Sequence, residues 1–157
     1  MRTSFFVEIP SLSRGKSLGE THYYFEISFM IGLSEDEAAR LVVDECFHIH
    51  KQYGPGLLES LYERILFYEL QEKGLSVQSQ VPVPLLHGQV RVEVAFRADL
   101  IVENKLLIEL KSVEALAPVH QKQVLTYLRL TQLKLGLLIN FNSEFMKQGI
   151  RRVVNNL

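Results

Sequence analysis

Arg97-Ala98-Asp99-Leu100-Ile101-Val102, then Glu103-Asn104-Lys105, then Leu106-Leu107-Ile108-Glu109-Leu110-Lys111 is the stretch on which the fold turns. Two apolar runs flank a polar, turn-prone triplet, so the segment reads as a β-hairpin. If the triplet holds three loop residues, Val102 pairs with Leu106 and Asp99 lies directly opposite Glu109. Side chains alternate along a strand, so Glu109 and Lys111 point the same way. Two carboxylates and an ammonium then share one face. Leu107, Ile108 and Leu110 surround them, which implies a buried strand carrying a small polar island. Carboxylates held side by side repel, and need a shared proton or a cation between them. Magnesium suits the position because it prefers oxygen ligands and is often held by one or two carboxylates plus substrate phosphate. Such an ion polarises a phosphoryl oxygen and activates water. Lys111 would orient that water or stabilise charge on the phosphorane. The competing reading is a structural salt bridge between Lys111 and either carboxylate, since structural ion pairs perturb such groups as well.

Working upstream, Leu75 to Val83 alternates in part but carries Pro82, with Pro84 just beyond, which predicts an edge strand. His87-Gly88 marks a turn, and Val90 to Val94 and Phe96 to Val102 are extended. Ser34-Glu35-Asp36-Glu37 has the form of a capping box and predicts a helix to about Lys51, ended by Tyr53-Gly54-Pro55-Gly56. A second helix is predicted from about Leu57 to Lys73, with Leu58, Leu61, Tyr62, Ile65 and Leu66 as its apolar stripe and Gly74 as its stop. Downstream, Pro118 opens a third helix to about Gln132. Leu135 to Phe141 has the length of a buried strand. Asn142-Ser143 can cap one helical turn through Met146, closed by Gly149, before a last strand over Ile150 to Val154. The order is helix, helix, several strands, helix, strand: a mixed α/β domain over residues 34–157. Residues 1–33 hold no persistent period and read as an N-terminal extension, loose or packed on the domain.

Several short motifs accompany the hairpin. Gly56-Leu57-Leu58-Glu59-Ser60-Leu61-Tyr62 reads Gly-x-x-Glu-x-x-Tyr. Gln123 and Tyr127 stand four apart, on one helix face. Gly54-Pro55-Gly56, Arg97-Ala98-Asp99 and Gly136-Leu137-Leu138-Ile139-Asn140-Phe141 complete the set. In this order the motifs resemble the PD-(D/E)XK nuclease superfamily, and within it the GxxExxY proteins. The superfamily's usual proline before the aspartate is replaced by Ala98, a position at which it tolerates variation. The resemblance implies a restriction-endonuclease-like core of order α-β-β-β-α-β, with a central mixed β-sheet flanked by helices. It implies Asp99 and Glu109 as metal ligands, Lys111 as the catalytic lysine and Glu59 as the helix glutamate that completes the metal shell. It implies a supporting or substrate-touching role for Gln123 and Tyr127, Mg²⁺ or Mn²⁺ as cofactor, and nucleic acid, with DNA favoured, as substrate.

Without the family, Glu59 would read as solvated, Tyr62 as core packing with its hydroxyl reaching a partner, and Gln123 with Tyr127 as an ordinary packing pair. His48 and His50 are two apart on a helix, so their rings diverge, and no Cys or His cluster completes a zinc site. His120 reads as a helix-start surface residue, with phosphate contact as the alternative. Cys46 reads as a small buried hydrophobe. Lys122, Arg129, Lys134, Lys147, Arg151 and Arg152 read as surface charge, with a phosphate track as the alternative.

Composition sets the outer bounds. The chain has 157 residues, 47% of them hydrophobic and 22% charged, enough for one domain with a real core. A net charge of −1 excludes a globally basic nucleic-acid coat, so phosphate recognition must be local. One cysteine excludes an internal disulfide. No apolar run approaches the ~20 residues of a membrane span. The chain reads as cytoplasmic, with membrane excluded as a partner and a larger complex or homo-oligomer left open. The leading functional reading is a metal-dependent nuclease. The alternatives are a nucleic-acid- or protein-binding module without turnover, and a scaffold in which the polar island only fixes strand register.

Overall fold

The computed structural model describes residues 32–155, so most of the expected N-terminal extension lies outside the described residues. Helix α1 spans Glu35–Tyr53. The Ser34 hydroxyl accepts from the Glu37 N–H, and the Glu37 carboxylate accepts from the Ser34 N–H at 2.9 Å, closing the capping box read in the sequence. Its buried stripe is Ala38, Ala39, Val42, Cys46 and Ile49, with Glu45 neutralised by Lys73 at 3.0 Å. Helix α2 spans Glu59–Glu72 and buries Tyr62, Leu66 and Leu70 at a spacing of one turn.

The sheet has five strands in the order β1-β2-β3-β4-β5. They are β1 Val77–His87, β2 Val90–Val102, β3 Leu106–Lys111, β4 Leu135–Asn140 and β5 Ile150–Val154. β3 and β4 run parallel and every other pair is antiparallel, so the sheet is mixed. β1 is an edge strand, as its prolines require, since a proline cannot donate to a ladder on both sides. It runs past Pro84 to His87, with an irregularity between Val83 and Leu85 that accommodates the second proline. Helix α3, Pro118–Thr131, is the crossover that parallel β3 and β4 need. Its Val124 and Leu128 sit so close to β4 that a Cβ on Gly136 would meet Val124 Cγ1 at 2.8 Å. The short helix α4, Met146–Gly149, has Phe145 at its N-cap rather than Asn142 or Ser143, whose N–H groups bond Asn140 Oδ1 and the Asn140 carbonyl in the turn before it.

β4 is buried along its whole length, and β3 everywhere except Lys111. A buried cluster lies against α3: Val83, Ala98, Ile101, Leu107 and Leu138 pack with Val124, Tyr127 and Leu128. The alternate residues Leu100, Ile108 and Leu110 are equally buried, and α2 lies against β1, β2 and β3 while α1 packs on α2. The result is a mixed sheet flanked by helices, consistent with a restriction-endonuclease-like fold. No helix of the described residues is long and apolar enough to cross a membrane.

Candidate active site

The β2–β3 turn has the expected length. Val102 pairs with Leu106, Ile101 with Leu107 and Leu100 with Ile108. Glu103 and Asn104 carry the positive φ values, 54° and 53°, that let three residues reverse the chain. Extending this register by one step sets Asp99 opposite Glu109. Past Leu100 the contact between the strands is made by the Asp99 side chain: Oδ2 accepts the Leu110 N–H at 2.7 Å. Ile101 and Leu107, on the same face, belong to the cluster under α3. Along this face the strand pair therefore passes from apolar core to the polar group Asp99, Glu109 and Lys111 within one side-chain spacing. Glu109 is buried by its place in the buried strand β3, while Asp99 stays half-buried.

Lys111 Nζ donates to Glu109 Oε1 at 2.6 Å and to the Leu110 carbonyl at 2.9 Å. The pair is nearly sealed, with side-chain exposures of 14% for Lys111 and 4% for Glu109. Glu109 Oε2 is buried and has no partner, alone in this among buried side-chain polar atoms of the described residues. Burial, and then the charge of Asp99, push the Glu109 carboxyl up to about 7, against the pull of Lys111. Burial also raises Asp99, with Glu63 and Glu59 adding to it and the Leu110 N–H and Lys111 opposing. For Lys111, burial pulls down, but the hydrogen bond and charge of Glu109, with Glu59 and Asp99, outweigh it and raise the ammonium. The site holds more negative charge than one lysine neutralises.

Glu59 opens α2 and its carboxylate accepts the Ser112 N–H at 3.2 Å, just past the end of β3. The Gly56-x-x-Glu59-x-x-Tyr62 spacing has a local explanation. Gly56 has φ 114°, a conformation closed to other residues. Tyr62, buried and stacked on Phe141 at 4.3 Å, sends its hydroxyl back over the turn, donating to the Gly54 carbonyl at 2.6 Å and accepting the Leu57 N–H at 3.1 Å. Leu57 in turn presents its carbonyl to Ser112 Oγ at 2.9 Å. The tyrosine fixes the loop that delivers Glu59 to the end of β3. Gln123 donates its amide to the Tyr127 hydroxyl, and Tyr127, ring against Phe96 at 5.0 Å, has its phenol raised by burial, with Gln123 opposing and Glu109 adding.

The hairpin triad, Glu59 and the Gln123–Tyr127 pair thus come together at the C-terminal end of β3, beside the middle of β2. Among the described residues no three His, Cys, Asp or Glu side chains stand close enough to hold a metal as placed, and Glu59 is turned to Ser112. Two residues absent from the sequence reading belong here: Gln80 bonds both Glu63 and Asp99. No motif marks them, because they meet the hairpin only through the tertiary fold. Asn140, from the Gly136–Phe141 motif, is buried and clamps Val113 through its side-chain amide, at 3.0 and 2.8 Å.

The weaker sequence candidates lie elsewhere. His50 Nε2 bonds the Ser143 carbonyl at 2.8 Å while His48 is exposed. His120 Nδ1 accepts the Ala117 N–H at the start of α3. Cys46 is buried, and burial, then Glu45, push its thiol far up. Lys122, Arg129, Lys134, Lys147, Arg151 and Arg152 are exposed.

A family model of the PD-(D/E)XK nuclease superfamily matches residues 36–153, which covers both helices before the sheet, the hairpin and β5. The chain belongs to this superfamily. No curated protein and no solved structure matches it. Membership of the PD-(D/E)XK superfamily points to nuclease-type chemistry on nucleic acid, and nucleases of this kind typically use divalent metals. The donor set fits such an ion: carboxylate oxygens, which hard cations prefer, and a buried Glu109 oxygen that nothing in the protein satisfies.

Proposed function

We propose that this domain is a metal-dependent nuclease that hydrolyses phosphodiester bonds, with DNA as the favoured substrate and Mg²⁺ or Mn²⁺ as cofactor. The observation that carries the reading is the buried Glu109 carboxylate beside Lys111 and half-buried Asp99, with one Glu109 oxygen left without a partner. Asp99 and Glu109 would hold the ion, and Glu59 would join them by releasing Ser112. A bound divalent cation supplies Lewis-acid polarisation of a phosphoryl oxygen and a more acidic water. Lys111 stays charged beside Glu109 and has a third ammonium hydrogen to orient the attacking water or to stabilise the phosphorane oxygens. Gln123 and Tyr127 would support the substrate side of the site. The Gly56-Glu59-Tyr62 motif supports placing the chain in the GxxExxY branch; in this reading 34–157 is the nuclease domain, residues 1–33 are an extension, and the cytoplasm is the place of action.

The test is direct. Purified protein incubated with single- and double-stranded DNA and RNA should cut at least one substrate with Mg²⁺ or Mn²⁺. EDTA, Asp99→Ala and Lys111→Ala should each abolish the cutting. Binding without cleavage by the parent chain would replace this reading with a non-catalytic module that keeps the nuclease fold.

A further inference from the structure

Four non-glycine residues among those described have positive φ, and three of them have a local reason for it. Glu103 and Asn104 form the β2–β3 turn, and Gln132 caps α3. Gln80, at φ 52°, lies inside strand β1. It sits opposite Asp99: Ser79 pairs with Leu100 and Val81 with Ala98, and the ladder skips the residue between. A glutamine gains nothing intrinsically from this conformation, so something the conformation places must hold it there.

What it places is the side-chain amide. Gln80 Nε2 donates to Glu63 Oε2 at 2.9 Å and lies 3.4 Å from Asp99 Oδ1. Both contacts are to carboxylates, which accept only, so the nitrogen must face them. Asp99 is thereby addressed from both neighbouring strands: Oδ1 from Gln80 on β1, Oδ2 from the Leu110 N–H on β3. Glu63 lies one helical turn beyond Glu59 on α2, so the same amide ties that helix to the hairpin. The Gln80 carbonyl accepts from Arg97 Nη1 at 3.2 Å, which holds the kinked backbone.

We infer that Gln80 is a positioning residue for Asp99: its kinked backbone aims a neutral donor between Glu63 and Asp99 and sets the carboxylate in the orientation in which it binds a cation. A neutral donor suits the task. A lysine or arginine there would add a fixed positive charge beside the ion, whereas an amide separates two carboxylates and leaves their charge in place. The inference rests on the nuclease reading of the site.

Mn²⁺ affinity by calorimetry, with thermal midpoint of the metal-free protein alongside, separates the outcomes. Gln80→Gly removes the amide and relieves the backbone. It should leave the midpoint unchanged or slightly raised, yet weaken Mn²⁺ roughly 10-fold or more, the range for groups that orient metal-binding carboxylates. The Mg²⁺ concentration for half-maximal cleavage should rise by the same factor. Gln80→Asn, which tolerates positive φ but is too short to span both carboxylates, should behave alike. A lowered midpoint with unchanged Mn²⁺ affinity would make Gln80 a fold element only and overturn the inference, as would no change in either. Parent protein that takes up no Mn²⁺ even with DNA present would sink the nuclease reading and this inference together, whereas parent uptake with unaltered variants sinks this inference alone.

Discussion

Arg91-Val92-Glu93 and Glu109-Leu110-Lys111 are the same pattern, a base and an acid two residues apart on a strand, and both form an ion pair. Arg91 and Glu93 meet at 2.7 Å with side chains 69% and 70% exposed, while Lys111 and Glu109 meet at 2.6 Å with 14% and 4%. The distances are alike and the surroundings are not. The outer pair lies on the part of the β1–β2 hairpin that projects past the sheet, where Val90, Val92 and Val94 are themselves exposed. Water screens it, and such pairs contribute about 0–1 kcal/mol. The inner pair stands between Leu107, Ile108 and Leu110, beside a second carboxylate, where burial makes charge costly and leaves an oxygen unsatisfied. Spacing alone therefore carries little chemical information here; burial converts an ion pair into a candidate reactive site.

Four measurements break or sharpen this contrast. The largest effect concerns turnover. Under the proposed function, Asp99→Asn and Lys111→Ala should lower cleavage by about 10³-fold or more, as loss of a positioned charged group does, while Glu93→Ala changes it less than about twofold. Equal losses at both pairs would erase the distinction. Next comes packing on the two halves of β2. Leu100→Ala should cost about 2–5 kcal/mol in urea denaturation and Val92→Ala under about 0.5 kcal/mol, because one side chain is buried and the other is not.

The third effect depends on pH. The native Glu109 carboxyl keeps its proton up to about pH 7, against an ordinary value of 4.5. The folded state then binds more protons than the unfolded one inside that window, so metal-free stability should fall as pH rises from about 4.5 to about 7 and level off outside it. The full decline is on the order of 3 kcal/mol. Glu109→Gln should flatten this slope and raise the melting midpoint at pH 8, while removing a proposed metal ligand. A variant as pH-sensitive as the parent would show that the burial of Glu109 is not what matters. The smallest effect is the Arg91–Glu93 coupling in a double-mutant cycle, expected below about 1 kcal/mol and lost in high salt.

The parts of this contrast that were legible in the sequence were those fixed locally. Glu103-Asn104-Lys105 between two apolar runs gave the Val102–Leu106 register, and with it the shared face of Asp99, Glu109 and Lys111. Ser34 with Glu37 marked the start of α1, and Pro118 that of α3. Pro82 marked β1 as an edge strand, although Pro84 hid its continuation to His87. Asn142-Ser143 looks like a cap in sequence, but helix α4 starts after it, with Phe145 at its N-cap and no side-chain cap bond. Gln80 and Glu63 reach the surroundings of Asp99 from two separate elements. Their importance comes from tertiary position, and neither period nor residue type signals it.

Cys46 provides an internal gauge for these experiments. It is the chain's single thiol, sealed under α1 and held protonated there. The thiolate is the form that attacks alkylating reagents, so modification should wait for the helix to lift away. Any ligand that binds only the closed form slows that opening by mass action. A cation at 100 times its dissociation constant should lengthen the labelling time about 100-fold where opening is global. Occupancy of the carboxylate site would then be visible as a change in alkylation rate, in protein that has never met a nucleic acid.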